Sequence, residues 1–273
     1  MNTLPIGVFD SGVGGLTVYR ALKQALPQEN FLYLGDTARL PYGTKTPDTI
    51  IQYALQAARL LVDAGVKFLV IACNTATGPA LPVLRKTYPG LPIMGVIEPG
   101  AQAALAQSHS KHIGVIATEA TVAAHSYRDA IHRLDAQAVV VEKAAGLLVP
   151  LTEEGLLAGD IPVQIAHHYL DDLLGDAADC PDTLILGCTH FPVLTEVIHQ
   201  VVGGRMQIID SSLVISAAVK DYFLNHPELA NTQEKGHSEF WVTDGIGRFM
   251  KVAECFLGAH SISAEQLRLV DLV

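Results

Sequence analysis

Short runs of Val, Ile and Leu recur along the chain at spacings that leave room for a helix between them: IGVF (6–9), FLYLG (31–35), FLVIA (68–72) and PIMGVI (92–97). Polar residues do not alternate through them, and near-continuous apolar runs suit strands covered on both faces of a parallel sheet. Between them, 16–26 and 49–64 carry apolar residues at helical spacing, the first stopping near Pro27 and the second near Gly65. This alternation of strand and helix predicts an α/β architecture.

A second series comes next: IGVIA (113–117), AVVVE (138–142), TLILG (183–187) and MQIID (206–210). It overlays the first in order, with Ile6-Gly7-Val8 on Ile113-Gly114-Val115 and FLVIACNT on TLILGCTH, so that Cys73 falls on Cys188. The overlay predicts two pseudo-symmetric parallel-sheet α/β lobes with a ligand cleft between their strand ends, because open α/β sheets bind ligands outside the carboxyl ends of the strands. After Asp210 come a helical stretch (213–223), a polar stretch (225–238), a strand (240–243) and a helix (248–257). Returning this tail to the first lobe gives 1–97 plus 211–273 as one lobe and 98–210 as the other.

Composition narrows the class. Of 273 residues 49% are apolar and 17% charged, which excludes extended disorder. Eighteen basic residues against 28 acidic ones give a net charge of −10 without a Lys/Arg cluster, so nucleic acid is not the expected ligand. No stretch has the length of a membrane span and the first nine residues lack a signal-peptide pattern, which predicts a cytoplasmic protein without membrane association. The four cysteines form no C-x-x-C pair and read as free thiols.

Polar clusters stand directly after the apolar runs. Asp10-Ser11-Gly12-Val13-Gly14-Gly15 offers a tight turn and backbone donors, but Thr17 breaks the dinucleotide G-x-G-x-x-G pattern and no Walker sequence is present. Cys73-Asn74-Thr75 and Cys188-Thr189-His190 each put a thiol at a strand end. A thiol becomes a base when a helix N-terminus or a cation stabilises its thiolate, and His190 offers such a charge. Cys188-x-His190 alone is too small a ligand set for zinc. Asp36 in GDTARLPYG reads either as a cap or as a functional carboxylate, Glu153 as a solvated loop carboxylate, and Thr118 and Thr121 as helix caps or anion contacts. The adjacent His167 and His168 read as a partly solvated helical pair.

Two thiols facing one ligand, one as thiolate and one as thiol, remove a proton on one face and deliver one on the other, which inverts a stereocentre. A pyridoxal route needs a Schiff-base lysine, and Lys143, beside Glu142, is the nearest candidate to any strand end. IGVFDSGVGGLTV, GDTARLPYG, ACNTAT, GVIEP, IGVIATEATV, LVPLTEEG, GCTHFP and DSS stand in that order over essentially the whole chain, which thereby resembles the glutamate racemases of the aspartate/glutamate racemase superfamily. The resemblance implies a metal-free enzyme without cofactor that interconverts L- and D-glutamate and supplies D-glutamate for peptidoglycan. Cys73 is then the acid/base residue for D-glutamate and Cys188 that for L-glutamate, assisted by Asp10 and His190 and, in lesser roles, by Asp36 and Glu153. The substrate-contacting blocks correspond to Asp10, Ser11, Pro41, Tyr42, Gly43, Asn74, Thr75, Thr118, Thr121, Thr189 and His190.

Members of the family are commonly homodimers, and some bind DNA gyrase; neither property is legible in these residues. The extension that precedes these blocks in enterobacterial members responding to a cell-wall precursor has no counterpart ahead of Ile6, so that response is not implied. The alternatives are a racemase of aspartate or hydantoins on the same scaffold, and a non-catalytic small-ligand or gyrase-binding protein with inert cysteines.

Overall fold

The computed structural model describes residues 2–175, 180–232 and 235–272. The first half alternates strictly: β1 (Ile6–Asp10), α1 (Leu16–Ala25), β2 (Phe31–Gly35), α2 (Pro47–Asp63), β3 (Phe68–Ile71), α3 (Asn74–Thr87), β4 (Ile93–Gly95) and α4 (Ile97–Gln107). The second series runs β5 (His112–Ala117), α5 (Glu119–Ala123), α6 (Ser126–Leu134), β6 (Val139–Ala144), α7 (Leu148–Glu153), α8 (Asp160–Leu174), β7 (Thr183–Gly187), α9 (Thr195–Val202) and β8 (Gln207–Asp210). The tail adds α10 (Ser211–Asn225), β9 (Ser238–Val242), α11 (Ile246–Leu257) and β10 (Leu267–Leu269).

Two sheets form, and every pairing is parallel. The first has the order β10-β9-β2-β1-β3-β4 and the second β6-β5-β7-β8. Stripped of its two tail strands, the first sheet has the same order as the second, so the overlay seen in the sequence is an overlay of topologies. Register agrees as well: Gly7 lies opposite Leu69 in the first sheet as Gly114 lies opposite Leu184 in the second.

Alternate residues of each strand feed opposite faces. Val8 and Val70 of the first sheet share a core with Val115 and Ile185 of the second, filled between by side chains of α1, α4, α6 and α10. Phe9, Leu34 and Ile71 pack on the other face of the first sheet against α2 and α3, and Ile116, Leu184 and Leu186 do the same in the second against α7, α8 and α9. Each such fully buried side chain contributes about 1.5–3 kcal/mol. The strand β6 departs from the expected burial. It is an edge, and Val139 and Val141 are 54% and 38% exposed.

Boundaries moved where capping chemistry acts. The second helix starts at Pro47, whose missing N–H costs nothing in a first turn. PIMGVI is a strand only over Ile93–Gly95, since Ile97 already opens α4. The Asp210 side chain accepts from Ser212 N at 2.8 Å, which starts α10 at Ser211. At the opposite, amino ends of the strands, Lys67 and Glu29 form a fully buried ion pair at 2.6 Å, and Glu29 also accepts from Asn231 N at 2.7 Å, tying the tail to the first sheet.

Candidate active site

The strand ends of both sheets open onto one cavity of about 320 Å³, at the lower end of the range of about 300–1,000 Å³ for small-molecule sites. Cys73 lies just past β3 and is the N-cap of α3: its Sγ accepts from Ala76 N at 3.4 Å and lies 3.4 Å from Ser11 Oγ, to which it donates. Thr77 Oγ1 holds that turn by donating to Cys73 O at 2.9 Å and Ile71 O at 3.1 Å. Cys188 lies just past β7, the equivalent strand of the other sheet. Its Sγ lies 3.8 Å from His190 Nδ1, while His190 Nε2 pairs with Glu153 Oε1 at 3.2 Å. Arg248 of α11 completes the chain at 3.1 Å from Glu153 Oε2. Both thiols are buried and both line the cavity.

The two sulfurs stand in different fields. Burial pushes the Cys73 thiol up to about 12, the nearby Asp10 charge adds to the rise, and the bonds with Ser11 Oγ and Ala76 N only partly offset it. Burial alone would lower His190, but its bonds and charge interactions with Cys188 and Glu153 outweigh that and hold the imidazolium up to about 10. Glu153 is lowered, first by the His190 bond and further by Arg248. Asp10 is raised by burial against the opposing His190 charge and the backbone N–H groups of Gly15, Gly12 and Ser11. Its Oδ2 accepts from Gly12 N at 2.9 Å and its Oδ1 has no hydrogen-bond partner. One thiol thus sits beside a carboxyl group and the other beside a cation.

Ser11, Pro41, Tyr42, Gly43, Asn74, Thr75, Thr118, Thr189, His190 and Glu153 line the same cavity. Three of the candidates stand behind its wall. Asp10 is fully buried beneath the loop that carries Ser11 and Gly12. Asp36 is also fully buried and caps nothing: it accepts from the Tyr42 hydroxyl, from Arg39 Nε at 2.7 Å and from Thr243 Oγ1 at 3.0 Å. Thr121 reaches the cavity through two others, forming a hydroxyl cluster with Thr118 (2.9 Å) and Thr75 (3.2 Å), in which Thr75 and Thr118 are 2.8 Å apart. Glu153 corrects the expectation of a solvated loop carboxylate, since its side chain is only 12% exposed and holds His190.

Gly14 shows how closely the lobes meet. A Cβ there would collide with His190 Nδ1 and Thr189 Oγ1, so only glycine lets the first lobe approach the second thiol block. Thr17 Oγ1 donates to Thr189 O at 3.0 Å across the same junction. Sequence reasoning missed Glu119, Val149 and Pro150 in the lining, although the first belongs to IGVIATEATV and the other two to LVPLTEEG. It also missed Arg248, an exposed helical arginine with no motif around it. Lys143 is paired with Asp172 and is not in the lining, and among the described residues no Lys or Arg lines the cavity. No group of three or more His, Cys, Asp and Glu side chains among the described residues is arranged to hold a metal ion, and no helix is long and apolar enough to cross a membrane.

Comparison with known proteins agrees with this geometry. Residues 6–219 match the family described as Asp/Glu/Hydantoin racemase. A glutamate racemase of Geobacter metallireducens is 43% identical over 97% of this chain and 96% of its own length, and one of Aquifex aeolicus is 42% identical over 93% and 94%. The crystal structure of glutamate racemase from Francisella tularensis in complex with D-glutamate superposes with a TM-score of 0.91 at 36% identity, covering 100% of this chain and 99% of that one. The chain therefore belongs to the Asp/Glu/hydantoin racemase family of isomerases, within its glutamate racemases.

Proposed function

We propose that the chain interconverts L- and D-glutamate by proton transfer between two thiols, without a cofactor, and that it supplies D-glutamate for peptidoglycan. The observation that carries this reading is that Cys73 and Cys188, at equivalent ends of two like-ordered sheets, line one cavity. From L-glutamate, the Cys188 thiolate takes the Cα proton while the bonding pair stays on the substrate, delocalised into its α-carboxylate. Cys73, held as a thiol, gives its proton to the opposite face. The reverse reaction exchanges the roles.

Each half of the site supports one thiol. His190, charged and anchored by Glu153, stabilises negative charge at Cys188. Asp10, with its raised affinity for a proton, is the neighbour able to assist Cys73 when D-glutamate is the substrate. The feeble acidity of Cα requires donors preorganised for the developing carboxylate charge. Ser11, Thr75, Thr118 and Thr189 serve, all neutral, while Asn74 holds the carboxylate in ground state and transition state alike, with Pro41, Tyr42 and Gly43 closing one side and Thr121 holding Thr118 and Thr75. Asp36 acts further out by fixing the Tyr42 hydroxyl. The same proposal includes the division into lobes 1–97 plus 211–273 and 98–210, and a cytoplasmic homodimer.

The test is the circular dichroism of L-glutamate incubated with the protein in D₂O without additions. Decay of ellipticity with deuterium entering Cα is expected. No decay, or decay only after pyridoxal phosphate or a metal is added, would overturn the reading, and faster decay with aspartate would reassign the substrate.

A further inference from the structure

We propose that Tyr127 is a positioning residue that fixes which end of the Asn74 carboxamide meets the substrate. This rests on the racemase reading above. Tyr127 lies on α6 of the second sheet's layer, is fully buried, and its hydroxyl donates to Asn74 Oδ1 at 2.6 Å, reaching α3 across the junction between the lobes. Asn74 lines the cavity, and its other polar end, Nδ2, is buried with no hydrogen-bond partner. A buried unpaired donor is costly, and a carboxylate oxygen satisfies it with a charge-assisted bond.

A carboxamide is nearly symmetric in shape, so packing alone does not choose between presenting N–H and presenting C=O. A hydroxyl can donate or accept, and here the Tyr127 hydroxyl donates to Oδ1, which leaves Nδ2 as the free end of the carboxamide. Its ring cannot drift: a Cβ on Gly100 or Gly187 would lie 3.1 or 3.0 Å from a ring carbon, so two glycines form the slot that holds it. Burial raises the Tyr127 hydroxyl well above the usual tyrosine range, so it stays a donor at any working pH. No Lys or Arg lines the cavity among the described residues, and the His190 charge is engaged with Cys188 and Glu153, so a wrongly turned amide would set its oxygen against the substrate carboxylate.

The Asn74 donor meets the carboxylate in ground state and transition state alike, so its loss acts on KM more than on kcat. Tyr127→Phe, which keeps the ring, is expected to raise KM about 10-fold for both enantiomers with kcat little changed, the loss of one hydrogen bond to a charged group. Asn74→Ala is expected to raise KM similarly, and the double variant no further. The carboxamide ¹⁵N signal of Asn74 is expected to shift on titration with D-glutamate in the wild type and not in Tyr127→Phe. A fall in kcat at unchanged KM, additive effects in the double variant, or the same amide shift in both proteins would overturn the proposal. Absence of wild-type turnover would sink the racemase reading alone, because the amide shift needs binding and no turnover.

Discussion

Glu153→Gln isolates the charge behind His190 while keeping the shape of the side chain. Glu153 Oε1 is 3.2 Å from His190 Nε2 in a site only 12% exposed on the Glu153 side. A hydrogen bond to a charged partner contributes about 1.5–3 kcal/mol, and at about 1.4 kcal/mol per pH unit its loss lowers His190 by about one to two units. From about 10, His190 is then expected to titrate at about 8–9, with the Cys188 interaction left to hold it above its ordinary value. The alkaline limb of kcat/KM for L-glutamate should move down with it, and the ring resonances of His190 should titrate at the new value. Linkage sets the sign for stability. A raised His190 contributes stability that is complete below about 6.5 and lost as pH rises through its folded value, so Glu153→Gln should lower Tm at pH 6 and leave it nearly unchanged above pH 10. Glu153, being lowered, contributes above its ordinary range and loses that contribution as pH falls through its folded value. Unmoved resonances together with an unmoved alkaline limb would refute the relay.

Other perturbations probe separate parts of the molecule. Gly14→Ala drives a methyl into His190 and Thr189; kcat/KM is expected to fall about 100-fold, as for a displacement of about 1 Å at a catalytic group, with the circular dichroism of the fold retained. Glu29→Gln breaks a buried ion pair remote from the cavity, so urea unfolding should register a loss of about 3–5 kcal/mol while KM stays as in the wild type; a changed KM would show that the pair acts on the site. Cys73, raised to about 12, remains a thiol at neutral pH, so its alkylation by iodoacetamide in the ligand-free protein should be slow at pH 8 and accelerate only toward pH 12, read by mass spectrometry of its peptide. Fast labelling at pH 8 would contradict the burial and the Asp10 charge that hold Cys73 as a thiol.

The strands and their succession along the chain are legible in the sequence because a parallel sheet buried on both faces leaves unbroken runs of Val, Ile and Leu. The two series map strand for strand, but the spatial orders β2-β1-β3-β4 and β6-β5-β7-β8 come from the pairing and not from the run pattern. Strand β10 was not legible, since LRL is three residues at an edge with Leu269 61% exposed, and so carries no periodic signal. The short α5 is likewise set by the Thr118 cap rather than by a hydrophobic stripe. At the site, residues just beyond a strand end are visible as a motif, whereas side chains arriving from another element are not. Tyr127 comes from the first turn of α6 and Arg248 from the tail, and only folding brings them to the supports of the cavity. Asp36 illustrates the converse, a strand-end carboxylate whose three partners hold it behind the wall.

The most direct measurement tracks Cα deuterium in each enantiomer separately for Cys73→Ala and Cys188→Ala in D₂O, with chiral separation and mass spectrometry of both recovered substrate and product. A lone remaining thiol works one face only. Racemisation is therefore expected to fall by at least about 100-fold in each variant, the scale of a single general acid or base. Cys73→Ala should still exchange the proton of L-glutamate, and Cys188→Ala that of D-glutamate. Inversion at the wild-type rate in either variant, or exchange confined to the same enantiomer in both, would contradict the placement of one sulfur on each face.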